Sequence, residues 1–201
     1  MTERMTVSRA MHDVGLAAWF GGSLNGAIGV NGAASDVDDP RQRARVANAG
    51  WARWTPFNAL AIGAHLVGGV QLLRRDSGRA AAQSGLASNT AVKAGLTGAA
   101  LAATAYSRVL GQRVMAAGDV PVAGGTDPLP QTPPDVAKAQ KQLKVLQWAI
   151  PALTGGLLVS NSLAGEQERP AEAARGLLKA APSRAAAAAT GLGETLKQAV
   201  S

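Results

Sequence analysis

The sequence predicts an all-α integral membrane protein whose four helices form a bundle, and three observations lead to this fold class. Three windows of 20 or 21 residues contain no Asp, Glu, Lys or Arg. Charged residues make up only 16% of the 201 residues, against roughly 25% in a typical soluble domain. Aromatic residues make up 3%, so the helices have few large side chains and are expected to pack by close backbone approach, as membrane helices do.

The first predicted span covers residues 14–34 and follows an N-terminal segment, residues 1–13. Its 21 uncharged residues exceed the roughly 18 that suggest a membrane helix. The alternative is a secretory signal peptide that is cut after Ala34. A retained helix is favoured, because the apolar stretch is long for a signal peptide and Asp13 weakens the positive charge before it.

The second predicted span, residues 54–73, contains His65 as its only ionisable residue. Tryptophans at its start (Trp51 and Trp54) and arginines after its end are the residues that the two membrane interfaces select. The fourth predicted span, residues 145–165, is the third of the uncharged windows and has Trp148 near its start.

The third predicted span, residues 91–111, is the shortest in apolar length. Only the 14 residues from 94 to 107 are uncharged, which is about 21 Å of helix. Lys93 and Arg108 must therefore extend toward opposite interfaces, as long basic side chains do. This span depends on neighbouring helices more than the other three.

Two segments fall outside the spans. Residues 118–135 contain five prolines and three glycines, a composition that predicts an extended, flexible loop. Lys138, Lys141 and Lys144 then suggest a polar helical lead-in to the fourth span. Residues 166–201 form an Ala-rich tail with few large apolar side chains, which we expect to be partly helical or disordered.

The net charge of +7 comes from short basic clusters beside the apolar windows. Such clusters fix membrane topology or meet anionic lipid headgroups, and no nucleic-acid partner is predicted. We expect a multi-pass protein of the cell membrane with both termini cytoplasmic. This orientation leaves eleven of the 20 Lys and Arg residues inside and places the loop 118–135 outside.

Small residues at four-residue spacing predict how the helices pack, either within one chain or against other membrane subunits or a second copy. The third span has the longest stripe of this kind: Ala91, Gly95, Ala99, Ala103, Ser107 and Gly111. The other spans contribute shorter sets: Gly22 and Gly26, Ala64 and Gly68, Gly156 and Ser160. Polar residues within the spans are expected to form hydrogen bonds between helices; they include Asn31, Asn58 and Thr104.

His65 is the one candidate ligand for a cofactor, since an imidazole at mid-membrane depth can bind haem iron or contact a quinone. A haem held by two histidines needs a second one at that depth, and His12 lies at the edge of the first span. A structural hydrogen bond is the favoured role for His65, and no cofactor is expected. No metal site is expected either, and the absence of cysteine excludes disulfides and thiolate ligands.

The spans contain no pair of carboxylates for acid–base catalysis and no serine that the spacing places near a histidine. We therefore expect a protein without its own catalysis, which acts as an accessory or scaffold subunit or as a homo-oligomer. One alternative is a membrane redox protein that binds haem or a quinone through His65. Another is a small-solute channel or transporter.

Overall fold

A computed structural model describes the backbone of residues 5–80 and 84–167, and this part of the chain is helical, with no β-strand. The elements are α1 (Thr6–Asn25), a π-helical turn (Gly26–Val30), α2 (Asn31–Ser35), α3 (Pro40–Ala80), α4 (Ser84–Ala116) and α5 (Pro134–Gln167). The all-α prediction is confirmed for these residues. The predicted tail lies almost wholly outside them.

The chain divides into two compact units, residues 1–160 and residues 161–201. In the second unit the described residues are 161–167, which form the last part of α5. The helix packing and the cavity described below both lie within the first unit.

Two of the described helices are long and apolar enough to cross a membrane: α3 over Pro40–Arg75 and α5 over Pro134–Leu163. They contain the second predicted span and most of the fourth. The third predicted span falls on α4, and the first falls on α1, the π-helical turn and α2. Among the described residues, neither of these regions meets the same criterion of length and composition.

One row of buried and half-buried positions along α3, and another along α5, repeats at alternating intervals of three and four residues. In α3 the inward positions are Ala44, Ala47, Trp51, Trp54, Asn58, Ala61, His65, Gly68 and Leu72, and in α5 they are Val136, Gln140, Leu143, Gln147, Ile150, Thr154 and Leu157. A mean repeat of 3.5 residues keeps one face of a helix against its partner along its whole length, as in coiled coils. The bundle is therefore held by heptad-type packing.

The backbones of α1 and α3 come into close contact at two glycines. A Cβ on Gly15 would lie 2.6 Å from the backbone nitrogen of His65, and a Cβ on Gly68 would lie 2.6 Å from that of His12. Ser8 donates a hydrogen bond to Gln71 beside the second contact. Only glycine permits this approach, because the neighbouring atoms belong to the backbone and cannot rotate away.

The π-helical turn changes the face of the helix on which the following residues lie. Gly26 packs against the ring of Trp51, and five residues later Asn31 lies on the same face. An α-helix would bring residues three or four positions on to that face, whereas a π-turn brings the fifth. Asn31 accepts a hydrogen bond from Trp51 Nε1 at 3.1 Å and donates one to Gln147. Asn31 thus connects the start of α2 to both α3 and α5.

Asp39 caps the start of α3. Its carboxylate accepts hydrogen bonds from the backbone N–H of Arg41 at 3.0 Å and from Gln42 Nε2 at 3.2 Å, and Pro40 occupies the first helical position. These are the residue types that favour a helix start. The hydrogen bond from the Arg41 backbone lowers the pKa of Asp39 below its ordinary value.

The Pro- and Gly-rich loop between α4 and α5 is packed against the bundle, which differs from the extended, flexible loop expected from its composition. Val122 is fully buried, and its N–H donates to the Pro40 carbonyl at 3.1 Å. Arg43 donates to the carbonyl of Ala123, and the buried Gln140 donates to that of Gly124 at 2.9 Å. Side chains of α3 and α5 therefore satisfy backbone groups that the loop cannot pair within itself. Lys138, Lys141 and Lys144 lie within α5, which begins at Pro134, so the predicted helical lead-in is confirmed.

Candidate functional site

A cavity of about 250 Å³ lies between α3, α4 and α5. Leu143 and Ile150, which line it from α5, belong to two different hydrophobic clusters of the core, so the cavity interrupts the packing between these clusters. Its volume holds several water molecules or one small organic molecule. Its wall combines large apolar side chains with a few polar groups, as ligand sites commonly do.

One end of the cavity is polar and lies next to the loop. Asn31, Asn48, Gln147 and the backbone of Gly125 line this end. The hydrogen bonds that Asn31 forms with Trp51 and Gln147 fix its position there. The other end is more apolar, with Ile62 of α3 and Ile150 of α5 in the wall.

Three residues that line the cavity carry a buried polar atom with no hydrogen-bond partner in the described part of the chain: Trp54 Nε1, Asn58 Oδ1 and Ser107 Oγ. A buried donor or acceptor without a partner costs about 1–3 kcal/mol, so most folded proteins avoid one. Three such atoms around one cavity indicate a site whose polar groups are completed by something other than the described residues.

Arg108 adds a cation to the same wall, beside Ser107 on α4. Among the described residues it has neither an ion-pair partner nor a hydrogen-bond partner. The sequence places Arg108 at the end of the apolar part of α4, where its guanidinium group is expected near an interface. The cavity thus has a positive charge and two unpaired donors, Trp54 Nε1 and Ser107 Oγ, in its wall.

His65 lies outside this cavity, in the contact between α1 and α3. It is 3% exposed, and its Nδ1 donates to the backbone carbonyl of His12 at 3.1 Å. The rings of His12 and His65 lie with their centroids 4.3 Å apart and their planes tilted by 36°. The fold therefore brings together the two histidines that the sequence suggested would be separated in depth.

This histidine pair does not have the geometry of two axial haem ligands. Imidazoles bound to opposite faces of one metal ion, each through a bond of about 2 Å, have centroids about 6 Å apart. The observed 4.3 Å leaves no room for an ion between the rings. In the part of the chain that the structure describes, no group of three or more His, Cys, Asp or Glu side chains could hold a metal ion.

Three of the predicted packing residues of the first two spans, Gly22, Gly26 and Gly68, lie where the first span meets α3. Gly68 meets the α1 backbone, whereas Gly22 and Gly26 face the rings of Trp54 and Trp51 rather than small residues. Ala64 is partly buried. The glycines thus accommodate large rings as well as close backbones.

In the fourth span, a Cβ on Gly156 would lie 3.8 Å from Leu96 of α4, and Ser160 Oγ donates to the Gly156 carbonyl within α5. In the third span, Ala103 is buried, but Gly95 and Ala99 are exposed, and a Cβ on Gly95 would have no neighbour within 4 Å. Packing of Gly95 and Ala99 against another chain stays a prediction.

The helical repeat explains why some small residues of the predicted α4 stripe are buried and others are exposed. Each residue turns by 100°, so a four-residue step advances by about 40° around the axis, and six such residues wind across more than half the circumference. The face that α4 buries instead follows the alternating spacing: Leu96, Ala100, Ala103, Ser107, Leu110 and Val114. A strict four-residue stripe therefore cannot stay against one neighbour along the whole of α4.

The sequence identified Asn31, Asn58 and Thr104 as polar residues within the spans, and all three line the cavity. It gave no special role to Trp54 or Arg108, which were interpreted as interface residues. Trp54 and Arg108 line one cavity only because α3, α4 and α5 have a particular rotation relative to one another. A single sequence does not reveal this rotation. The available signal was that Asn58 and Trp54 share one heptad face of α3.

No family model, curated protein or solved structure matches this chain.

Proposed function

We propose that this chain is an integral membrane protein of four packed helices without its own catalysis, acting as an accessory or scaffold subunit or as a homo-oligomer. The main support for a membrane location is that most residues in the apolar windows of α3 and α5 face outward. Only 17% of the apolar window in α3 and 33% of that in α5 is buried. The core helix of a soluble protein would have most of such a window buried.

The exposed side chains of α3 agree with a lipid-facing surface. Phe57, Leu60, Val67, Val70 and Leu73 are all exposed, Leu60 by 73%. In water such a continuous apolar surface would drive aggregation, whereas in a bilayer it faces lipid tails at no cost. The lipid bilayer is thus the first partner that we propose.

Four crossings are supported by the arrangement of the connections. The contact of Val122 with Pro40 brings the segment between α2 and α3 to the same end of the bundle as the loop between α4 and α5. Helices that alternate in direction, with both of these connections on one side, meet this condition. In the cell membrane, this topology also leaves both termini together, and the preferred side for them is cytoplasmic.

The contact surface for another subunit or a second copy is the outward face of α4 around Gly95 and Ala99. Small residues let another helix approach closely, and close approach stabilises helix association in lipid. Mass spectrometry of the protein released from mild detergent measures its assembly state. Gly95→Leu is expected to reduce the assembled fraction, whereas Gly63→Leu, on the outward face of α3 with no neighbour within 4 Å, is the matched control. Recovery of a lone monomer from wild-type membranes would contradict this function.

A redox role with haem or a quinone at His65 is less favoured than the subunit role. The Nδ1 of His65 already donates to the His12 carbonyl, and the 4.3 Å between the two ring centroids leaves no room for an iron between them. Absorbance of the purified protein separates the two functions, because a Soret band that disappears in His65→Ala would support the redox role and overturn the subunit role.

A further inference from the structure

The cavity between α3, α4 and α5 has a chemical character that the proposed subunit function does not use. Its wall is mostly apolar, yet Trp54 Nε1 and Ser107 Oγ are donors without an acceptor. The guanidinium group of Arg108 supplies further donors and a positive charge. A group that presents several acceptor atoms and a negative charge would satisfy all three residues.

We infer that this cavity binds the oxyanion head, a carboxylate or a phosphate, of a small amphipathic molecule. Arg108, Ser107 and Trp54 donate to the head, and the apolar body extends toward Ile62 and Ile150. A carboxylate has two oxygens and accepts about four hydrogen bonds, and its pairing with arginine is often bidentate. The polar atoms of Ser107 and Trp54 are buried in the wall, so both side chains must rotate before these atoms reach the head.

The position of the cavity along the helices fits a molecule with one polar and one apolar end. Trp51 and Trp54 are of the type that marks a membrane interface, and both line the cavity. Ile62 lies about two turns beyond Trp54 in α3, toward the centre of the predicted span. A bound amphiphile would therefore keep its head at interface depth and its apolar body in the hydrocarbon region.

The remaining unpaired atom, Asn58 Oδ1, needs a donor rather than an acceptor. A water molecule held beside the head supplies one, since the polar wall offers the two or more partners that a buried water needs. A neutral alcohol of the same length would satisfy Asn58 but would leave the charge of Arg108 without a counter-ion. The charge of the head is thus the property that an experiment must vary.

The test is a titration of the full-length protein in detergent with sodium decanoate and, separately, with 1-decanol, followed by tryptophan fluorescence. Trp51 and Trp54 line the cavity and report on its occupancy. We expect Arg108→Gln to raise the Kd for decanoate about tenfold or more, as the loss of a charge-assisted pair does. It should leave the weaker binding of decanol unchanged.

Arg113→Gln is the matched control, because Arg113 is a second exposed arginine of α4 that does not line this cavity. It should change the Kd for decanoate by less than about twofold. Ala59→Leu, which adds volume at an exposed position of the wall, should weaken both ligands. If Arg108→Gln does not fold, Ser107→Ala serves instead, with a loss of a few-fold for decanoate alone.

For whichever anion binds the wild-type protein, the inference is overturned if Arg108→Gln weakens that anion and decanol equally, if it weakens neither, or if wild type binds that anion and decanol with equal affinity. It is also overturned if no anion binds. A parallel titration with dihexanoyl phosphatidate distinguishes the source of the head. Saturable binding of decanoate indicates a free acid, and binding of phosphatidate alone indicates a lipid headgroup; each supports an oxyanion site. These titrations do not depend on the number of membrane crossings or on the assembly state, so this inference and the proposed function can fail separately.

Discussion

Gly68→Ala is the substitution that tests the α1–α3 contact most sharply. The added Cβ would lie 2.4 Å from the Ser8 carbonyl oxygen and 2.6 Å from the His12 backbone nitrogen, whereas ordinary contacts begin near 3.4 Å, so the two helices must separate by about 1 Å. Overpacking of a close-packed interior costs about 1–3 kcal/mol. The upper part of this range applies, because the obstructing atoms are backbone and the separation also loosens the neighbouring contact at Gly15.

The control is Gly63→Ala in the same helix, where a Cβ meets nothing within 4 Å. Alanine is the better helix former by about 0.5–1 kcal/mol, so this variant should be as stable as wild type or slightly more stable. The assay is unfolding in mixed micelles, followed by circular dichroism. We expect the two variants to differ by roughly 3 kcal/mol. Equal stabilities would refute the close backbone contact.

Three further predictions concern the helix ends and the loop. Gly118, just beyond α4, has a φ of +75°, so Gly118→Ala should lower the stability by about 1 kcal/mol in the same unfolding assay. Gly21→Ala, at an exposed position of α1, should cause no such loss. The lowered pKa of Asp39 means that its contribution is complete above its ordinary pKa of about 3.9 and is lost as the pH falls through the lowered value. The stability difference between wild type and Asp39→Asn should therefore be present at pH 7 and shrink below pH 4; a constant difference would exclude the cap. Gln140→Leu removes the donor to the Gly124 carbonyl, so it should lower the stability by about 1–3 kcal/mol and speed proteolysis of the loop. Unchanged cleavage would show that this hydrogen bond does not hold the loop in place.

The sequence predicts the helices well where composition alone decides them. The long uncharged windows around His65 and after Val145 lie within helices that are long and apolar enough to cross a membrane. The loop was mispredicted because its prolines and glycines suggest an extended chain. The contacts that pack it come from Pro40, Arg43 and Gln140, which are remote from Val122–Gly124 in sequence.

The candidate site could be predicted only in part. Asn58 and Thr104 were identifiable as polar residues inside apolar spans, and both line the cavity. The unpaired state of Ser107 and Trp54 depends on how α3 and α4 pack, which a single sequence does not show. The π-helical turn that directs Asn31 into the wall is equally absent from any local pattern, because a single sequence does not show which turn gains a residue.

The central claim, that four helices cross the membrane, is tested most directly by the sidedness of two connections. The chain contains no cysteine, so single cysteines at exposed positions can be labelled in intact cells with a membrane-impermeant maleimide. We expect Asp38→Cys and Asp119→Cys to react from the outside and Val7→Cys to react only after the cells are opened. Reaction of Asp38→Cys and Asp119→Cys from opposite sides would mean that only one of α3 and α4 crosses, and would contradict the four-helix membrane bundle.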